Sequence, residues 1–135
     1  MPRTQQVLAT MTVGIRPRVS NESLTAAIDA MLECEEAVNT CAAAMVTEDD
    51  VRDLRDAVIR DMNCADVVGV TRRLLTRAND GALLGAQLQA CVTACEHSAE
   101  LCAGHAGHHE HCRLCSDATR RCADACRRVL RELQS

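Results

Sequence analysis

Four histidines and two cysteines fall within eleven residues, in the stretch HAGHHEHCRLC from His105 to Cys115. Thiolate and imidazole are the ligands that proteins offer to soft and borderline metal ions. Eight further cysteines lie elsewhere in the chain, and two pairs of them, CVTAC at 91–95 and CADAC at 122–126, have the spacing CxxxC. Residues i and i+4 are neighbours on one face of a helix, so both sulfurs of such a pair can bind one ion.

The cysteines form narrow stripes if their segments are helical. At about 100° per residue, the three cysteines of 91–102 lie within about 40° of arc, and the four of 112–126 lie within about 80°. The arginines between 113 and 131 fall on the opposite side, which predicts that the thiols face inward. Buried cysteine also serves as a small apolar residue, and disulfides are a third option. Nine inward cysteines in three stripes, with Cys64 on a fourth segment, favour metal binding.

Helical periodicity accounts for the elements that would position these thiols. Apolar spacing predicts helices over 21–46, 47–78, 82–103 and 109–133, with Asn21 or Ser23 and then Thr47 as N-caps, and NDG at 79–81 as a turn. The expected fold is all-α, an antiparallel four-helix bundle over residues 21–135. Residues 1–20 are expected to form an N-terminal arm or helix, with a helical turn near 7–13.

Composition limits the classes of partner. The chain has 135 residues, 47% of them apolar but none aromatic, and a net charge of −4. This balance predicts no binding to nucleic acid or to anionic membrane. Residues 1–23 lack the apolar core of a secretory signal, and no segment has the roughly 20 apolar residues of a membrane span. We therefore expect a cytoplasmic protein, in which cysteine-rich patterns indicate metal chemistry more than disulfides.

The spacing of the thiols narrows the choice of metal. A zinc site usually draws four ligands from CxxC turns, and only Cys112 and Cys115 have that spacing. An iron–sulfur cluster requires four thiolates around one point, whereas Cys91 and Cys102 lie about 16 Å apart along one helix. A ladder of thiols suits several Cu(I) ions, each held by two or three sulfurs. The main rival is an iron–sulfur electron carrier, and a third option is a scaffold bundle with residual thiols.

The motifs NCADV at 63–67 and HHEHCRLCSDATRRCADAC at 108–126, together with the CxxxC pairs, resemble the cytosolic copper storage proteins. The resemblance covers about residues 21–133. It implies a cysteine-lined four-helix bundle that holds several Cu(I) ions, has His and Met at its open end and assembles as a homotetramer. It implies a metal-ligand role for the ten cysteines, which are Cys34, Cys41, Cys64, Cys91, Cys95, Cys102, Cys112, Cys115, Cys122 and Cys126.

The stripes contain fewer cysteines than those of copper storage proteins with more thiols. Five residues stand where the stripes would continue, which predicts apolar plugs and a reduced capacity; they are Val38, Met45, Val68, Ser98 and Thr119. About one Cu(I) per thiol is the ceiling with bridging thiolates, and about half that with paired ones. Met31, Met45 and Met62 are expected to pack in the core rather than to bind metal.

The histidines fall at the junction of the last two predicted helices, beside Cys112. We predict that four histidines line the entrance of the bundle, the mouth, where they capture copper for the thiols; they are His105, His108, His109 and His111. We predict that His97 is a surface residue. No set of nucleophile, base and acid is recognisable, so no enzymatic activity is expected. The acidic cluster Glu48, Asp49, Asp50, Asp53 and Asp56 is interpreted as a solvated helix start.

Overall fold

The computed structural model describes residues 2–10, 18–77 and 80–135, and these residues form five helices and no strand. The helices are α1 (Pro2–Thr10), α2 (Asn21–Met45), α3 (Val51–Arg77), α4 (Gly81–His105) and α5 (Glu110–Gln134). The predicted turn at 7–13 lies partly outside the described residues, as does Asn79 of the NDG turn.

The four long helices form the predicted antiparallel bundle, while α1 packs on α2. Around the bundle, α2 contacts α3 and α5, and α4 contacts α3 and α5. Short connections between helices of 25 to 27 residues leave neighbouring helices antiparallel. No described helix has an apolar stretch long enough to cross a membrane.

Side-chain caps fix the start of two helices. The side chain of Ser20 accepts a hydrogen bond from the backbone N–H of Ser23 at the start of α2. The carboxylate of Asp80 accepts one from Leu83 at the start of α4. The predicted caps Asn21 and Ser23 are therefore one and three residues too late.

The predicted cap at Thr47 is wrong. Its hydroxyl donates to the carbonyl of Ala44 at 2.7 Å, in the turn that follows α2, and α3 begins only at Val51. The cause is local, since a threonine just after a helix can bond back to an unpaired carbonyl of the last turn. This turn lets Glu48 and Asp50 lie outside α3, at the same end of the bundle as the α4–α5 connection.

The core contains aliphatic side chains and cysteines. Leu24, Leu54, Leu75 and Leu88 are fully buried, and all ten cysteines lie in the same cluster of buried side chains. Met31 and Met45 also pack in this core as predicted, whereas Met62 is 58% exposed. Ion pairs join the helices at the surface, such as Arg72 of α3 with Glu35 of α2 at 2.6 Å. The bundle interior is therefore both the apolar core and the place where the thiols meet.

Candidate metal centre

The ten cysteines all lie in the described part of the chain, where each is buried and none forms a disulfide. Their relative exposure is 0% except for Cys41, at 2%. All four long helices contribute: two cysteines from α2, one from α3, three from α4 and four from α5. The prediction that the stripes face inward is confirmed, because thiols from separate helices share one interior.

The first cluster of candidate ligands lies where the interior meets the α4–α5 connection. The Nδ1 atom of His111 is 3.4 Å from the sulfur of Cys41 and 3.5 Å from that of Cys112. The two sulfurs are 3.9 Å apart. The other ring nitrogen of His111, Nε2, lies 3.0 Å from Glu48. A carboxylate behind the imidazole fixes the orientation of the ring, as in many metal sites.

A second cluster lies outside the first and joins His109 to two carboxylates. The Nε2 atom of His109 lies 3.0 Å from a carboxylate oxygen of Asp50, and the Nδ1 atom of His109 lies 3.6 Å from one of Glu48. The rings of His109 and His111 stack with centroids 5.1 Å apart. The hydrogen bond to Asp50 raises the pKa of His109, and the same contact lowers the pKa of Asp50. Glu48, His109 and His111 together offer three ligand atoms within 4.8 Å of one another.

The interpretation of the acidic cluster as a merely solvated helix start is wrong for two of its members. Glu48 and Asp50 face the histidines, because the turn after α2 brings them to the α4–α5 connection. No local pattern predicts this contact, because it joins residues that are about 60 positions apart in the chain. Of the other two predicted mouth histidines, His105 is half-buried and His108 is exposed, and neither belongs to a ligand cluster in the described residues.

The third cluster combines three thiols with a buried carboxylate, that of Asp61. Its Oδ1 atom accepts a hydrogen bond from Ser98 at 2.6 Å and lies 3.4 Å from the sulfur of Cys102 and 3.5 Å from that of Cys115. Cys41 completes the group, in which every ligand atom lies within 4.8 Å of the others. Burial raises the pKa of Asp61 to about 7, and the negative charge of Cys102 adds to that effect.

Asp61 is not among the ligands predicted from the sequence, although its position relative to two apolar residues indicates that it is buried. It lies seven residues after Leu54 and seven before Val68, and the side chains of these two residues are fully buried. Positions seven apart occupy nearly the same face of a helix. A carboxylate at that spacing marks a buried polar group in need of partners.

Two further clusters lie deeper and consist of thiols alone. One contains Cys34, Cys95 and Cys122, and the other contains Cys91, Cys122 and Cys126. Cys122 thus belongs to both. Cys64 bridges neighbouring helices, with its sulfur 3.9 Å from that of Cys34 and 3.8 Å from that of Cys95. Sulfur atoms of Cys91 and Cys126 are 3.6 Å apart. Groups of this kind suit several soft ions bound by two or three sulfurs each.

The thiols differ in how readily they ionise without metal. Hydrogen bonds with Cys115 and Cys41 lower the pKa of Cys102. Burial raises the pKa of Cys112 to about 11, and the charge of Cys102 adds to the rise. Metal ions must therefore displace protons from most of these thiols, which makes binding dependent on pH.

The five positions predicted to interrupt the stripes are all fully buried, as an interior position requires. Thr119 donates to the carbonyls of Cys115 and Ser116 at 3.0 Å, so its hydroxyl is satisfied within its own helix. His97 is exposed on α4, as predicted. A surface cleft of about 400 Å³ lies between α2 and α5, and its lining includes Cys41, Cys115 and His111.

The fold and the clusters define a class of protein, a helical bundle whose interior is lined with thiols for soft metal ions. The chain belongs to the copper storage protein family, whose sequence profile matches residues 20–131. No curated protein sequence matches it.

Solved structures of one bacterial protein are similar to this chain over most of its length. The copper storage protein Ccsp of Streptomyces lividans, loaded with 10 copper equivalents, is 38% identical with a TM-score of 0.91, over 95% of this chain and 98% of that one. The cytosolic copper storage protein of the same organism with five coppers is 41% identical with a TM-score of 0.80, over 82% and 93%. A histidine-to-alanine variant of Ccsp is 40% identical with a TM-score of 0.83, over 85% and 98%.

Proposed function

We propose that this protein stores Cu(I) in the cytoplasm by binding several cuprous ions to cysteine thiolates inside its bundle. The observation that carries the proposal is the convergence of thiols from separate helices into clusters whose ligand atoms lie within 4.8 Å of one another. Family membership and the copper-loaded structures of the Streptomyces relatives support it. The location in the cytoplasm is supported by the description of one of those relatives as cytosolic.

The chemistry of the ligands favours the cuprous state. Thiolate is a soft ligand and selects Cu(I) over hard cations, and Cu(I) accepts two or three ligands. Both thiol-only clusters contain three cysteines. The aliphatic side chains of the core, among them Leu, Val and Met, also shield the bound ions from water and oxidants.

We assign the storage role to residues 21–135 and distinguish two tasks within it. The ten cysteines hold the cargo, and His111 shares a cluster with two of them. His105, His108 and His109 lie around the same end of the bundle and serve to capture incoming copper. Imidazole is suited to this step because it binds metal with intermediate strength and releases it readily.

The protein acts as a store and not as an enzyme. A catalytic thiol must be accessible and paired with a base, whereas the relative exposure of every cysteine here is 2% or less. Iron–sulfur electron transfer has weaker support, because the one group of four candidate ligands among the described residues contains the carboxylate of Asp61 and no fourth thiol.

Assembly into a homotetramer is part of the proposal and is supported by the family resemblance. Apolar side chains on the outer face of α3 provide a surface that such an assembly would bury. Ile59 is 57% exposed, Met62 58% and Val70 41%. Light scattering behind a sizing column measures the state directly, and a mass of one chain, 14.6 kDa, would contradict it.

Anaerobic titration of the reduced protein with Cu(I), in competition with a chromophoric chelator, tests storage. We expect about five to ten ions per chain, between the limits for paired and bridging thiolates, and a colourless product. Fewer than two ions per chain would contradict storage. A brown protein that bleaches on reduction would instead indicate an iron–sulfur cluster.

A further inference from the structure

Copper storage does not explain the carboxylate of Asp61. Carboxylate oxygen is a hard ligand, which Cu(I) does not prefer. Aspartate is seldom fully buried unless it is paired, and the relative exposure of Asp61 is 0%. Its oxygen atoms face the sulfurs of Cys102 and Cys115, with the hydroxyl of Ser98 as the donor behind it.

Four different helices each contribute one candidate ligand to the cluster around Asp61. Cys41 comes from α2, Asp61 from α3, Cys102 from α4 and Cys115 from α5. All four residues are buried inside the bundle. A site with four protein ligands and no open position is typical of structural zinc and not of catalytic zinc.

The spacing of the ligand atoms fits a tetrahedral divalent ion. With Zn–S distances of about 2.3 Å and Zn–O of about 2.1 Å, neighbouring ligand atoms of a tetrahedron lie about 3.6–3.8 Å apart. The sulfurs of Cys102 and Cys115 are 3.7 Å apart. The nearest oxygen of Asp61 is 3.4 Å from the first sulfur and 3.5 Å from the second. These three ligand atoms therefore already have nearly the spacing that the ion requires, and the sulfur of Cys41 lies within 4.8 Å of each of them.

We propose that Cys41, Asp61, Cys102 and Cys115 form a site for one divalent ion of the zinc type. Zinc is borderline soft and accepts sulfur together with carboxylate oxygen. It carries twice the charge of Cu(I), so it neutralises more of the charge of three thiolates and a carboxylate. Each protonated ligand releases its proton on binding. The cleft between α2 and α5, which is lined in part by Cys41 and Cys115, gives the ion a route inward.

This inference goes beyond copper storage and does not depend on it. The three thiols are shared with the copper clusters, so the two metals compete for them. Cu(I) is softer and should displace zinc from this site. The protein would then hold zinc here only while its copper content is low.

The test uses the full-length, reduced, metal-free chain under argon. Zn²⁺ is titrated against a chromophoric chelator, and Co²⁺ serves as the spectroscopic probe. We expect one tight zinc ion per chain, and a cobalt spectrum with the visible bands of a tetrahedral ion and a sulfur-to-cobalt charge-transfer band. D61N keeps the size of the side chain and one oxygen that can accept the hydrogen bond from Ser98, but it removes the negative charge of the ligand. It should weaken zinc binding by at least about 100-fold and alter the cobalt bands.

Two matched variants locate the site. Cys126→Ser removes a thiol from the cluster with Cys91 and Cys122, and it should leave the zinc affinity unchanged. The double variant H109A/H111A removes the histidine cluster at the mouth and should also leave it unchanged. Cys102→Ser removes a second ligand of the proposed site and should weaken zinc binding as D61N does, which keeps the test valid if D61N fails to fold.

Several results would overturn the proposal. These are the absence of tight zinc binding in the wild type, an unchanged zinc affinity and cobalt spectrum in D61N, or a loss of zinc in H109A/H111A. A separate Cu(I) titration of D61N should give the wild-type capacity. A large loss of copper with no change in zinc would assign Asp61 to copper instead. The wild-type Cu(I) titration remains a separate measurement, so failure of the zinc site and failure of copper storage are distinguishable.

Discussion

At the residue scale, the interior is a set of thiol clusters interrupted by a few side chains that cannot bind copper. Ser98 and Thr119 occupy stripe positions as hydroxyls, and Val38 and Val68 occupy them as aliphatic groups. The histidines lie at one end, where His111 touches two thiols and His109 pairs with Asp50. Capacity should therefore depend on the interior residues, and the rate of loading on the histidines.

The replacement Thr119→Cys should raise the capacity for Cu(I) by about one ion per chain, since each bridging thiolate accounts for up to about one ion. Thr119 is fully buried on α5, between Cys115 and Cys122 in the stripe. Anaerobic titration against a chelator measures the change. The control is Thr93→Cys, which adds a thiol at an exposed position of α4. An equal gain in the control, or no gain in Thr119→Cys, would show that interior position does not determine capacity.

Replacement of His109 and His111 by alanine should slow copper loading from a chelated donor by at least about tenfold, the lower range for loss of groups that assist a metal site. The final number of ions should fall by one at most, because the ten thiols remain. Stopped-flow mixing measures the rate. His97→Ala serves as the control, since His97 is exposed on α4. A loss of several ions would make the histidines structural ligands of the store, and equal slowing in the control would remove their special role.

At the scale of the helices, local signals in the sequence predicted a large part of the structure. The four long helices follow from apolar spacing, and the inward face of α4 and α5 follows from the opposition of cysteines and arginines. The predicted start of α3 at Thr47 is wrong, because the hydroxyl of Thr47 donates a hydrogen bond back to the carbonyl of Ala44. The contacts of Glu48 and Asp50 with His109 were missed, because they depend on how the two end connections meet in three dimensions.

The contact of Glu132 with the start of α2 ties the end of α5 to the beginning of the bundle. Its carboxylate accepts hydrogen bonds from the backbone N–H of Ser20, at 2.9 Å, and from the hydroxyl of Ser23. The bond from Ser20 contributes most to lowering the pKa of Glu132. The carboxylate also lies at the positive end of the α2 dipole, where negative charge is favourable.

Glu132→Gln should lower the free energy of unfolding at pH 7 by about 1 kcal/mol, as expected for a hydrogen-bonded charge near the surface. A lowered pKa in the folded state stabilises the protein above the unfolded pKa of about 4.3. That stability is lost as the pH falls through the folded value. The difference between wild type and variant should therefore shrink as the pH falls below the unfolded pKa, and it should disappear once the carboxyl is protonated in the folded state as well. Urea unfolding of the reduced protein across this range measures it.

The control for that measurement is Glu22→Gln, which removes a carboxylate 84% exposed and 3.4 Å from Arg128. An exposed ion pair contributes little, so the control should change stability by less than about 0.5 kcal/mol. If the two variants behave alike, or if the effect of Glu132→Gln persists in acid, the bond to Ser20 does not hold the helix ends together.

At the scale of the whole molecule, the interior that would normally be filled by large aromatic side chains is filled by thiols and aliphatic groups. Aromatic residues are absent from the chain, and ten cysteines share the buried core with the leucines, valines and methionines. Bound ions that bridge helices should therefore act as part of the core. Ligands that bind only the folded state stabilise it in proportion to their free concentration.

Loading with Cu(I) should raise the melting temperature by more than about 10 °C, because a single site at 1,000-fold excess over its dissociation constant already contributes about 4 kcal/mol. Calorimetry of the anaerobic protein measures the shift, and removal of copper by a chelator should reverse it. Mg²⁺ is the control, since this hard ion does not bind thiols and should leave the melting temperature unchanged. If copper left the melting temperature unchanged, the ions would not be bound in the folded core, which would contradict this prediction.

The most direct test of the account is a crystal structure of the Cu(I)-loaded protein, with anomalous diffraction measured on both sides of the copper absorption edge. We expect several copper peaks in the interior, each within bonding distance of cysteine sulfurs from at least two helices. The thiol clusters of α2, α4 and α5 should be among the occupied sites. Copper confined to the histidines at the mouth or to the outer surface, or cysteines joined in disulfides with an empty interior, would contradict the account.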